Sequence, residues 1–237
     1  MKVYALGSGS SGNSYAVDDG ESVLLLEAGL PSRRIMEGYL NLLPRVAGCL
    51  ISHEHGDHAK GADGLAERGI DLYMTAGTQH ALGALKFRYP FRIHTVRALS
   101  QLLIGSWIAL PFDTEHDAEE PVGFLLGSTV TKEKLLFATD TYYIKYRFSG
   151  VNVFMLECNY SLPVLRENIK SGLVPESQKE RLLKSHFSLE HLLEFLKVTD
   201  LSAADRIYLL HMSSRNGDKK LFQREVQRVS GVPAEVL

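Results

Sequence analysis

The chain has 237 residues, 45% of them hydrophobic, which suits one large domain spanning 1–237. Its formal net charge of −2 gives no sign of a dedicated nucleic-acid binder, although a neutral total can hide a local basic patch. The two cysteines, Cys49 and Cys158, each sit inside an apolar run, which argues for buried free thiols and against a disulfide framework or a cysteine-ligated metal.

The N-terminal "KVYAL" reads as a strand, and the apolar run there is too short for a signal peptide. "NSYAVDD" and "ESVLLLEAG" read as two strands turning at Asp19-Gly20. Pro31 opens an expected helix, "PSRRIMEGYLNLL". "GCLIS" is a short buried strand ending at a His-rich stretch. "DLYMT", "FRIHTV" and "SWIALPF" continue the strands, with a short helix near "GTQHALGALK". "VGFLLGS", "KLLFATD" and "VNVFMLEC" follow as further strands. After Tyr160 the segments "PVLRENIKSG", "PESQKERLLKS" and "SLEHLLEFLKV" read as helices, the last capped by Ser188. "DRIYLLH" is a late strand and "DKKLFQREVQRV" a closing amphipathic helix. Early strands with interleaved helices indicate a layered α/β (α+β) domain. No run approaches about 20 apolar residues, so no membrane partner is expected and a cytoplasmic protein is the default. The oligomeric state is open.

Two features compete for the function. "GSGSSG" matches G-x-G-x-x-G after a strand, with Glu27 about 20 residues on, as in dinucleotide-binding folds. That motif needs a helix to start at the loop, and the following "NSYAVDDGESVLLL" is β-rich, so the dinucleotide reading fails. The loop is left as a backbone phosphate cradle or a tight turn.

The second feature is "HEHGDH". His53, Glu54, His55, Asp57 and His58 place five potential ligands in six positions. In an extended segment His53 and His55 share a face, and Gly56 is the expected pivot that turns Asp57 and His58 toward a second ion. Glu54 points the other way. His116, Asp140 and His211 emerge singly from hydrophobic strands, the pattern of a site built on a rigid scaffold, and Asp140 suits a bridging carboxylate. Ser8, Ser10, Ser11, Asn13 and Asn159 are candidates to line a substrate pocket, or else turn residues. "TYYIKYRF" after Asp140 offers rings for base stacking or for packing near the site. His80, His94 and His191 have no motif context.

H-x-H-x-D-H followed by separated His, Asp and His resembles the metallo-β-lactamase fold superfamily. That resemblance implies an αββα sandwich, two mixed β-sheets flanked by helices. It implies that His53, His55 and His116 hold one metal, that Asp57, His58 and His211 hold another, and that Asp140 bridges them. "LGSGSSGNSY", "HDAEEPVGF", "ATDT", "LECNY" and "SHFSLEHLLEFL" are similar to the YycJ (WalJ)-type branch, which is associated with nuclease activity. His186 lies in a segment that, in phosphodiesterase branches, supplies a His near the scissile phosphate. By this resemblance Asp57, Asp140 and His186 are the expected catalytic groups. Glu27 stands where the superfamily usually has Asp.

The expected cofactors are two divalent ions, Zn²⁺ or Mn²⁺, with Fe allowed by a His/Asp donor set. The expected reaction is hydrolysis of a phosphodiester in nucleic acid, as an exonuclease on DNA or RNA. A cyclic nucleotide or other small phosphodiester is the alternative, and a metal-stabilised binding protein without turnover is the alternative from another class. Arg166, Lys170, Lys179, Arg181 and Lys184 form either a phosphate-facing border or a solvated helical surface diluted by glutamates.

Overall fold

The computed structural model describes residues 1–237, apart from the side chains of Leu85, Gln178 and Arg181. The strands form two mixed β-sheets flanked by helices. The chain divides into two compact units, Met1–Asp113 with Ala118–Glu133, and Thr114–Asp117 with Lys134–Leu237.

In the first unit, β1 (Lys2–Gly7), β2 (Ser14–Asp18) and β3 (Val23–Leu26) run antiparallel. Asp19 closes the β2–β3 turn by accepting from the backbone N–H of Glu21 and Ser22. The segment after β1 continues into β2 without a helix, which removes the structural basis for a dinucleotide fingerprint. After β3 come α1 (Ser32–Gly38), β4 (Val46–Leu50), α2 (Gly56–Ala59), α3 (Ala62–Glu67), β5 (Leu72–Thr75), α4 (Ala76–Leu82) and β6 (Ile93–Val96). Strands β3 to β6 pair in parallel, so the six-stranded sheet β1-β2-β3-β4-β5-β6 is mixed. Its core clusters Leu25, Cys49, Leu72 and Met74 of the strands with Ile35, Ala62 and Leu65 of the helices. β7 (Leu102–Ile104), β8 (Trp107–Asp113) and β9 (Val122–Ser128) form an antiparallel meander.

The expected helix from Pro31 to Leu43 is shorter in the structure. α1 ends at Gly38, where an added Cβ would lie 2.4 Å from a Leu6 side-chain carbon. A separate 3₁₀ turn then covers Leu43–Arg45, with Pro44 in its first turn.

In the second unit, β10 (Lys134–Ala138) and β11 (Val153–Glu157) are parallel neighbours. α5 (Leu162–Lys170), α6 (Ser177–Ser185) and α7 (Leu189–Lys197) follow. β12 (Arg206–Leu210) pairs in parallel with β11. After α8 (Lys219–Ser230), β13 (Ala234–Val236) pairs in parallel with β12. All five residues of β11 are buried, as expected of a strand covered on both faces. Ser188 caps α7 by accepting from the His191 N–H, as the sequence indicates. Cys49 and Cys158 are free and buried, and burial pushes both thiols up. No helix among the described residues is long and apolar enough to cross a membrane.

Candidate metal centre

In the first unit the donors of "HEHGDH" lie just past β4. His53 and His55 come together, with ring nitrogens 3.2 Å apart. His53 Nδ1 lies 2.8 Å from Ser52 Oγ, which occupies one nitrogen of that ring. The chain then turns into α2, with His55 as its N-cap. Asp57 and His58 lie within this helix, with Asp57 Oδ2 3.4 Å from His58 Nε2. The turn falls where the sequence places it, but its cause differs. Gly56 has no positive φ, and an added Cβ would meet nothing within 4 Å. The start of a helix redirects the donors, so a glycine-only conformation at Gly56 is not the pivot. Glu54 stays apart from the histidines, its Oε1 accepting from the Glu119 N–H at 2.8 Å.

This helix is tied to the first loop and to the end of β3. Ala28 N–H donates to His58 O at 2.7 Å, and Asn13 N–H to Asp57 O at 2.8 Å. Gly29 permits the approach, since a Cβ there would sit 1.7 Å from Asp57 O. Asn13 is fully buried. Its Oδ1 accepts from the Gly9 N–H and the Tyr15 hydroxyl, and its Nδ2 lies 3.1 Å from His58 Nε2. Asn13 therefore braces the donor helix. Ser8 accepts from Tyr15, while Ser10 and Ser11 are exposed. Glu27 is fully buried, with Oε2 3.5 Å from His58 Nδ1, and it accepts from the Ser52 N–H at 3.3 Å. Glutamate thus occupies the supporting place that an outer carboxylate takes behind a ligating histidine.

In the second unit, His116 directs Nδ1 to Ser185 O at 2.9 Å, and its Nε2 lies 3.5 Å from Asp140 Oδ2. His116 therefore has one nitrogen held by a carbonyl and the other facing a carboxylate. Burial pushes the His116 imidazole below its usual range, against the pull of Asp140. Asp140, Glu157, His186 and His211 offer donor atoms that all lie within 4.8 Å of one another. His211 Nδ1 is 3.4 Å from Asp140 Oδ1 and 3.3 Å from Glu157 Oε1. Asn159 donates to His211 O at 2.8 Å and is itself buried, so it too acts through a candidate ligand.

Glu157 is the residue that the sequence reading passes over. It ends the apolar β11 much as Asp140 follows β10, which is the signal that marks it. Its Oε1 lies 2.7 Å from His186 Nδ1, and its Oε2 accepts from the N–H groups of Thr141 and Phe187. Burial works against charge on both members of this pair, yet their mutual attraction prevails. The Glu157 carboxyl is held below its usual range and His186 above. His186 ends up stacked on His211, ring centroids 5.5 Å apart.

Among the described residues five non-glycines have positive φ, and three are Glu27 (66°), Asp140 (46°) and His211 (52°). Each follows a strand end in a conformation that costs L-residues about 1–3 kcal/mol and tends to cluster at functional sites. The basic run is not drawn in. Arg166, Lys170 and Lys184 are exposed, Lys179 pairs with Glu176 at 3.2 Å, and the Arg181 side chain is outside the described ones.

Strand-end His and carboxylate donors on two mixed sheets flanked by helices define a metal-dependent hydrolase of the metallo-β-lactamase fold. Residues 25–212 match the family model for the beta-lactamase superfamily domain, and the chain belongs to that family. It is 31% identical to exodeoxyribonuclease YycJ of Bacillus anthracis, over 94% of this chain and 87% of that protein. It is 29% identical to exodeoxyribonuclease WalJ of Streptococcus pneumoniae, over 93% of this chain and 85% of that protein. The metallo-beta-lactamase fold protein YhfI of Bacillus subtilis superposes with a TM-score of 0.71 at 14% identity, over 99% of this chain and 95% of that one.

Proposed function

We propose that the chain is a dinuclear metal-dependent phosphodiesterase acting on nucleic acid, an exonuclease working from DNA or RNA ends as a single domain over 1–237. In this reading His53, His55 and His116 would hold one ion, Asp57, His58 and His211 would hold the other, and Asp140 would serve both. The second unit's grouping Asp140–Glu157–His186–His211 and, in the first unit, the 3.2 Å approach of the His53 and His55 ring nitrogens support this assignment. The set is nitrogen and carboxylate only, which suits Zn²⁺, Mn²⁺ or Fe and leaves loading to supply. Two bound ions would activate a water and offset charge on the attacking and leaving oxygens.

The chain's own residues do the rest. Glu157 fixes the His186 ring through Nδ1 and favours its protonated form. His186 is thereby set to give a hydrogen bond or a proton from Nε2 to a phosphate oxygen. Ser10 and Ser11 are the exposed members of the proposed substrate loop. Asn13 and Asn159 act at one remove, through His58 and His211.

The observation that carries the proposal is the buried Glu157–His186 pair set against Asp140 and His211. A histidine fixed at Nδ1 by a carboxylate and stacked on His211 is set to meet a phosphate oxygen through Nε2. The likeness to proteins named exodeoxyribonuclease supports the choice of a nucleic-acid strand. The test is a substrate panel with protein stripped by chelator and reloaded with Zn²⁺ or Mn²⁺. Single- and double-stranded DNA and RNA are expected to shorten from an end. If every strand stays intact, the proposal is wrong. The balanced net charge of −2 keeps a cyclic or other small phosphodiester as the second reading. Salt separates the two, because a polyanionic strand gives a steep dependence on ionic strength and a small substrate does not.

A further inference from the structure

The second unit contains a cavity of about 390 Å³ beside the donor cluster. That falls within the range of small-ligand sites, about 300–1,000 Å³. Its walls include Tyr142, Tyr143, Arg147, Phe187, His191 and Glu194. Two of its flanks continue directly from groups placed at the reaction centre. Tyr142 and Tyr143 come two and three residues after Asp140, and Phe187 is next to His186.

The same carboxylate fixes both flanks. Glu157 Oε2 accepts from the Thr141 N–H at 3.0 Å and from the Phe187 N–H at 3.1 Å. Thr141 in turn accepts from the Glu115 N–H and donates to Tyr143 O at 2.8 Å. The tyrosine loop is therefore held in register with His186 by buried hydrogen bonds.

A segment braced in this way would ordinarily turn its rings inward. Instead Tyr142 is 37% and Tyr143 51% exposed. Arg147 is exposed on the same loop, and Lys145 lies 5.2 Å from the centroid of the Tyr146 ring. Inside the cavity wall, His191 Nδ1 is a buried nitrogen with no hydrogen-bond partner among the described residues. Such a group is costly unless a ligand meets it. Exposed aromatic faces, cations beside them and an unmet polar group are together what a base attached to a phosphate chain would use. A purely apolar ligand would make no use of Arg147 and His191 in the cavity wall.

We propose that this cavity is a nucleobase subsite, which seats a base of the substrate strand by stacking on Tyr143 and Tyr142 and by a hydrogen bond to His191. The site supplies strand recognition without reading sequence, because every base has a π-face. This proposal rests on the nuclease reading above and deepens it.

The test uses metal-loaded protein and a single-stranded oligonucleotide with phosphorothioate linkages carrying 2-aminopurine at its end. Wild type is expected to quench the fluorophore. Tyr143→Ala is expected to weaken binding about tenfold and lose the quenching, while Tyr143→Phe keeps the ring and retains both. With an abasic residue in place of the terminal base, the difference between Tyr143→Ala and wild type should vanish. Tyr142→Ala provides a second variant at an exposed position, and circular dichroism checks the fold of each. If wild type degrades unmodified strands yet both alanine variants bind and quench like wild type, the subsite is overturned and the nuclease reading stands. If no strand is degraded but quenching depends on the ring, the nuclease reading falls and the nucleobase site stands. If strands are neither degraded nor quenched, both are overturned.

Discussion

Glu157 answers to three partners at once: the ring of His186, the N–H of Thr141 and the N–H of Phe187. Glutamine keeps the size but replaces one acceptor with a donor, so all three contacts survive only with a neutral His186 accepting at Nδ1. Glu157→Gln is expected to cut kcat about 10–100-fold, the usual loss when an outer-shell partner is removed. KM should change less, and the pH profile should shift to lower pH, because His186 loses the Glu157 charge that favours its protonated form and keeps only that of Asp140. Steady-state kinetics with parallel metal analysis checks this, and equal loss of metal and rate would refute a positioning role. The ligand candidates themselves were legible from spacing, since "HEHGDH" concentrates donors in a way that packing does not require. Glu157 was not, because one acid at the end of an apolar strand looks the same whether it meets solvent or a buried histidine. Asn13 and Asn159 were found as polar residues near the site, but their amides face protein rather than a pocket, and only tertiary contacts show that.

Elements with long apolar runs, such as "ESVLLLEAG" and "VNVFMLEC", were legible as strands because their burial on both faces demands that composition. Short elements were not. β7 and β13 have three residues each, too few for a period to show, and α2 and α3 hide in a glycine-interrupted stretch. α2 makes two opposite predictions for its glycine neighbours. Gly29→Ala would drive a Cβ into Asp57 O and should cost at least about 2 kcal/mol while weakening metal binding. Gly56→Ala meets open space at an ordinary backbone angle and should be neutral or stabilising by about 0.5 kcal/mol. Urea unfolding and metal titration of the pair test whether docking, rather than flexibility, sets the donors. The β2–β3 hairpin gives a pH-dependent prediction. A bidentate hydrogen bond from Arg45 holds the Asp18 carboxyl below its usual range. Its stabilisation is therefore present above the ordinary aspartate value of about 4 and is lost as pH falls through the lowered one. Asp18→Asn should cost about 1 kcal/mol or less at pH 7, since Arg45 is partly wet, and the difference should close as pH falls through the lowered Asp18 value.

At the scale of the whole molecule, ions bound by the proposed donors add their binding free energy to the stability of the fold. Chelation is therefore expected to lower the unfolding temperature measured by calorimetry. Restoring an ion at a hundred times its Kd should return about 2.7 kcal/mol of stability. An unfolding profile indifferent to chelator would contradict the ligand assignment. The left-handed backbone of Glu27, Asp140 and His211 bears on how this protein can change. Glycine would relax the backbone at each position, but at Asp140 and His211 it would also remove a proposed ligand and the stability that a bound ion returns. Heat resistance and turnover therefore pull the same way at these two sites, and selection for either should keep the strained residue. Engineers seeking robust active variants must look elsewhere in the chain.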